Sequence, residues 1–101
     1  MKRVQIKFEK GFDVVAGNEH SQSATMVLSP STSTGGPNNK HSNSDQWLYV
    51  ISGEGIAIVS REQLELNPGT LVLIEKGETH EIRNTGSQPL ETINFYVPPA
   101  Y

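Results

Sequence analysis

Apolar and polar residues alternate in short runs along most of the chain, with a repeat of two residues and no sustained repeat of 3.6. In "RVQIKFE" (3–9), Val4, Ile6 and Phe8 fall on one face and Arg3, Gln5, Lys7 and Glu9 on the other, the pattern of a half-buried strand. The runs "SATMVLS" (23–29), "QWLYVIS" (46–52), "GIAIVS" (55–60), "EQLELN" (62–67), "TLVLIE" (70–75), "HEIRN" (80–84) and "ETINFYV" (91–97) read as further strands. Turn chemistry separates them. "GEG" (53–55) predicts a hairpin, "NPG" (67–69) and "KGE" (76–78) predict tight turns, "TGSQP" (85–89) predicts a loop, and Pro98 and Pro99 stop the last strand. About eight short strands at even spacing, with no internal repeat, predict an all-β sandwich or barrel forming a single domain over residues 1–101.

Two stretches depart from this rhythm. "SPSTSTGGPNNKHSNSD" (29–45) is almost wholly polar and predicts a long surface loop; connections beyond ~12–15 residues in compact domains are usually functional or disordered. It contains His41 and runs directly into "QWLYVIS". That strand is apolar on both sides, with Gln46, Leu48 and Val50 on one face and Trp47, Tyr49 and Ile51 on the other. It is therefore central and covered on both faces, or it lies at a homodimer contact.

Composition narrows the function classes. A chain of 101 residues buries a modest core, so a neighbouring subunit would add stability. A hydrophobic share of 35% and mean hydropathy of −0.42 are ordinary and argue against global disorder. No apolar run approaches the ~18–20 residues of a membrane span, and "MKRVQIKFEK" has no apolar signal core; both point to the cytoplasm. Without cysteine, disulfides, thiolate metal sites and cysteine nucleophiles are excluded. The net charge of −3 and scattered basic residues argue against nucleic-acid binding, and no basic amphipathic helix suggests a membrane surface.

The candidate chemistry lies in "NPGTLVLIEKGETHEIRN" (67–84). Gly69, five residues, Glu75, one residue, Gly77, two residues, His80, three residues, Asn84 resembles the second motif of the cupin superfamily, G-x5-P-x-G-x2-H-x3-N, with Glu75 in place of proline. The family's first motif, G-x5-H-x-H-x3-4-E-x6-G, is matched in two registers. In one, Asn39 and His41 take the histidine positions, Gln46 the glutamate and Gly53 the glycine. In the other, Gly35 leads to His41 as the first histidine and Asn43 as the second, one residue short of Gln46. Both registers keep His41, Gln46 and His80. The closing "INFYVPP" also resembles the last strand and tail of small single-domain cupins.

The resemblance implies a jelly-roll barrel (double-stranded β-helix), often dimeric, with a central pocket. It implies a divalent transition metal (Zn, Ni, Cu, Fe or Mn) at His41, His80, Gln46 and Asn39, and chemistry such as dioxygenation or isomerisation of a small polar molecule. Typical members use three histidines and one glutamate. The set available here is neutral, so weaker metal binding is expected. No residue stands out as a catalytic base. Independently of the family, His80, Ile82 and Asn84 share one face of a strand, and a buried imidazole needs a hydrogen-bond partner or a metal. Leu48 and Phe95 are candidate pocket-lining residues. Glu75 reads as solvent-facing, Asp45 as pointing away from the site, Asn84 as a turn residue and His20 as a surface histidine. The competing functions are a non-catalytic module for a small, sugar-like molecule, and a regulatory partner domain.

Overall fold

The structure, a computed structural model, describes residues 1–35 and 41–101 with their side chains and residues 36–40 as backbone alone. Nine strands form over this range: β1 (Gly11–Gly17), β2 (Gln22–Leu28), β3 (Ser33–Lys40), β4 (Asp45–Ser52), β5 (Gly55–Val59), β6 (Glu62–Leu66), β7 (Leu71–Ile74), β8 (Thr79–Asn84) and β9 (Leu90–Val97). They make a five-stranded sheet, β1-β2-β9-β4-β7, and a four-stranded sheet, β3-β8-β5-β6, with antiparallel pairings throughout both. The two sheets close on each other as the expected double-stranded β-helix.

Strand β4 is flanked by β9 and β7, with Gln46 opposite Tyr96 and Ile74, and Leu48 opposite Asn94 and Val72. Successive residues point to opposite faces, so Gln46, Leu48 and Val50 turn inward and are buried, whereas Trp47 and Tyr49 turn outward and remain about 40% exposed. The inner faces meet in a core of Leu48, Val50 and Ile74 from one sheet and Ala57, Leu66 and Ile82 from the other. Outside the larger sheet, Trp47 lies between Leu73 and Phe95, and Tyr49 between Leu71 and Ile93. This face is apolar and largely open, with Leu71 58% and Phe95 44% exposed.

Three expectations are corrected. Residues 3–9 form no strand, although Ile6 and Phe8 are half-buried as their alternation suggested. Strand β1 is the edge strand beside β2, and residues 3–9 make no ladder with it; Lys2 Nζ donates to the Gly17 carbonyl. The polar stretch at 29–45 contains β3, which pairs with β8 through Ser33–Arg83, Thr34–Ile82 and Gly35–Glu81. Ladder formation uses backbone groups, so an edge strand needs little apolar side-chain area. The "GEG" turn forms no hairpin, because β4 and β5 belong to different sheets. The turn carries the chain across at a point of close approach: a Cβ on Gly53 would lie 2.4 Å from the Pro89 carbonyl oxygen, and one on Gly55 2.3 Å from that of Arg83.

This contact predicts that Gly55→Ala loses about 1–3 kcal/mol by overpacking against backbone that cannot yield. Gly69, where an added Cβ meets nothing within 4 Å and only its φ of +92° opposes a side chain, loses about 1–2 kcal/mol on the same change. Urea unfolding of both variants reads the difference.

Candidate functional site

At the end of the barrel where β4 begins and β9 ends, a cavity of about 160 Å³ is lined by Phe12, Met26, Thr34, His41, Gln46, His80, Ile82, Tyr96 and Tyr101. His80 is the second residue of β8 and points inward, 5% exposed. His41 lies just before β4. The turn that precedes β8 holds it in place, since Gly77 N donates to the His41 carbonyl at 2.7 Å. That turn is itself braced: Asp45 Oδ1 accepts from Lys76 N, and Glu78 Oε1 from Glu75 N, each at 2.9 Å. The two imidazoles come together with ring centroids 5.1 Å apart and planes 30° from parallel.

Aromatic rings close the mouth. Tyr96 stands edge-on to His41 at 5.2 Å, Tyr101 at 5.5 Å, and Phe12 lies 4.7 Å from Tyr101. The Tyr101 hydroxyl sits 3.4 Å from His41 Nε2. Gln22 fixes this residue, donating from Nε2 to Tyr101 O at 2.7 Å and accepting at Oε1 from Tyr101 N and Ala100 N at 3.0 and 3.2 Å.

Of the residues singled out in the sequence, His41, Gln46 and His80 converge on this cavity. The Asn39 side chain lies outside the described residues. Leu48 faces inward but sits in the core, beyond the cavity wall. Phe95 is corrected: it lies on the open outer face, and its neighbour Tyr96 points into the cavity. The inner face of β9 carries Thr92, Asn94 and Tyr96, whereas its outer face carries Ile93, Phe95 and Val97. Hydrophobicity alone therefore selects the wrong side. Asn84 closes the turn that follows β8 by accepting from Gly86 N, and its Nδ2 donates to the Leu28 and Gln88 carbonyls, all at 2.8 Å. Glu75 is exposed, and His20 is at the surface, 3.4 Å from the Glu19 carboxylate. Tyr96 was within reach of sequence reasoning through its alternation with Asn94. Tyr101 carried no such signal, because its place depends on Gln22, far away in the chain.

Among the described residues the lining contains no lysine, arginine or carboxylate. Burial pushes both imidazoles below their ordinary pKa, and for His80 the neighbouring His41 adds to the effect. The Gln46 amide partly offsets this for His41, although Gln46 Oε1 accepts no well-formed hydrogen bond. Among the described residues no three His, Cys, Asp or Glu side chains gather closely enough to hold a metal. The donors that do gather are two neutral imidazoles and an orphaned amide oxygen. This set suits a loosely held late transition metal and lacks the negative charge that would hold one tightly.

Against known proteins, a family model described as a cupin domain matches residues 24–96. The chain is 32% identical over 68 residues to an oxalate-binding protein of Thermotoga maritima, covering 67% of this chain and 54% of that one. It spans about half the length of the first curated relatives it matches. A Bacillus halodurans structure superposes with a TM-score of 0.85 at 26% identity, covering 91% of this chain and 73% of the other. An RmlC-like cupin family protein with a double-stranded β-helix fold, from Methanocaldococcus jannaschii, gives 0.82 at 24% identity, covering 97% and 91%.

The buried imidazoles make stability depend on pH. Unfolded, they take up protons near 6.5; folded, they do so at lower pH. Between these values the unfolded chain binds more protons, so stability falls as pH drops below about 6.5. Melting temperatures measured from pH 8 to pH 5 are expected to decline for the wild type and to decline less for His80→Asn.

Proposed function

We propose that this chain, which belongs to the cupin domain family, is a binding module for a small oxygen-rich molecule, assisted by a divalent transition metal at His41, His80 and Gln46 Oε1. The observation that carries this reading is the Gln46 amide oxygen. It is buried and accepts no well-formed hydrogen bond, its interaction being with the His41 imidazole, and its side chain shares a cavity wall with two imidazoles that burial keeps neutral. An unsatisfied buried acceptor costs about 1–3 kcal/mol, and a cation or donor placed beside it offsets that cost. The cavity of about 160 Å³ matches roughly five water molecules at ~30 Å³ each, which sets the ligand's size. The name of the Thermotoga relative, an oxalate-binding protein, supports a ligand of this scale.

A bound metal would supply a Lewis-acid anchor for ligand oxygens. The chain's own groups do the remainder. Phe12, Met26 and Ile82 exclude water, while the Thr34 and Tyr101 hydroxyls and the imidazoles offer hydrogen bonds to the ligand. Among the described residues no carboxylate stands on the lining, the usual acid–base partner of an isomerase, which supports the binding reading. Elemental analysis after loading with Zn, Ni, Cu, Fe or Mn and desalting is the test. The wild type is expected to retain metal, His80→Ala to lose affinity by about a hundredfold, and Gln46→Glu to gain at least about tenfold by restoring a negative ligand. A wild type that retains none of these metals rules out the metal reading.

The outer face of the larger sheet supports a homodimer. Trp47, Tyr49, Leu71, Leu73, Phe95 and Val97 share one apolar face, each residue at least 39% exposed. An apolar patch packs on a copy of itself about a two-fold axis. Light scattering after size exclusion is expected to give twice the chain mass, and Trp47→Glu with Phe95→Glu to give the monomer.

A further inference from the structure

Buried polar groups on the inner face of the larger sheet form one hydrogen-bond chain with a direction. Thr92 Oγ1 donates to the Met26 carbonyl at 3.2 Å. Its single hydrogen is then committed, and its oxygen accepts from Asn94 Nδ2 at 3.0 Å. This turns Asn94 Oδ1 towards Gln46, where it accepts from Gln46 Nε2 at 3.0 Å. Gln46 Oε1 is left over, buried and without a well-formed hydrogen bond, on the side of His41. Thr92 and Asn94 are fully buried and Gln46 is 3% exposed, so bulk water cannot rescue a reversed amide. Turning Gln46 round would set its oxygen against Asn94 Oδ1, two acceptors in contact.

We propose that Asn94 is a positioning residue: it holds Gln46 with its oxygen, not its amino group, at the disposal of the His41–His80 cavity, and so selects a group of positive potential there. That group is a metal ion or the hydroxyl hydrogen of a neutral polyol. A bare anion is disfavoured, since it would face the Gln46 oxygen directly and, among the described residues, the lining offers no lysine or arginine. The choice of occupant rests on the binding function proposed above; the orientation of Gln46 rests on the hydrogen-bond chain alone.

Two measurements on the full chain separate these layers. In the metal-free wild type, exchange of the Gln46 and Asn94 side-chain amide protons, followed by NMR, is expected to be at least tenfold slower than for an exposed glutamine such as Gln63. Equal rates would overturn the chain whatever the ligand. Calorimetric titration with Co²⁺ then compares variants. Asn94→Asp keeps an acceptor for Gln46 and is expected to retain wild-type affinity or better. Asn94→Leu frees the amide and is expected to lose about tenfold, the scale of one misdirected hydrogen bond. Equal loss in both variants, or none in Asn94→Leu, would overturn the positioning role. If Co²⁺ does not bind the wild type, the metal reading fails by itself, and the occupant is read with glycerol against oxalate. Shifts of the Gln46 and His80 signals with glycerol and not oxalate support the proposal, and any other pattern overturns it.

Discussion

The antiparallel pairing of β4 with β9 is the contact on which the rest of the structure depends. Its register sets Gln46 opposite Tyr96 and Leu48 opposite Asn94 on the inner side, and Trp47 opposite Phe95 on the outer side. A slip of one residue would exchange the two faces. With β9 held in place, it would bury Trp47 where the four-stranded sheet packs, and break the hydrogen bond between Gln46 and Asn94. Core, cavity and outer apolar face are thus consequences of one register, and none can change without the others.

The character of the cavity follows from what surrounds it. Carboxylates do lie nearby in sequence, but Asp45 and Glu78 are committed to main-chain amides of the turn at 75–78. There they stiffen the support of His41 and contribute no charge to the lining. Among the described residues the site is therefore uncharged, partly enclosed and rich in rings. In such surroundings neutral imidazole is favoured over imidazolium, and a single unpaired oxygen weighs more than it would in water. At the position that the motif resemblance gives to a glutamate, Gln46 offers an acceptor without the charge. Its amide also brings a second, donating end, which is what links it to Asn94 and Thr92.

Much of the fold was legible because alternation is a local property. The runs around Leu48, Ile58, Leu64, Val72, Ile82 and Ile93 are strands where their periodicity placed them. The failures have one cause, which is that a strand exists only if a neighbour completes its ladder. Val4, Ile6 and Phe8 alternate well, yet no ladder forms between them and the edge strand β1. Ser33 to Gly35 carry no apolar signal, yet β8 offers them a free edge. The "GEG" turn looked like a hairpin because nothing local reports that the chain changes sheet there.

By itself the sequence determined the strand class, the interruptions at glycine and proline, and the spacing that brings His80 to the start of a strand. These depend on neighbours along the chain. Only the tertiary structure decided which face of each strand looks inward. Alternation separates Phe95 from Tyr96 but does not rank them, and burial is won by the whole sheet rather than by the residue. It likewise took the folded chain to bring Gln22 to Tyr101, Gly77 to His41 and Asn94 to Gln46, because those hydrogen bonds join segments that only the closing of the two sheets makes neighbours.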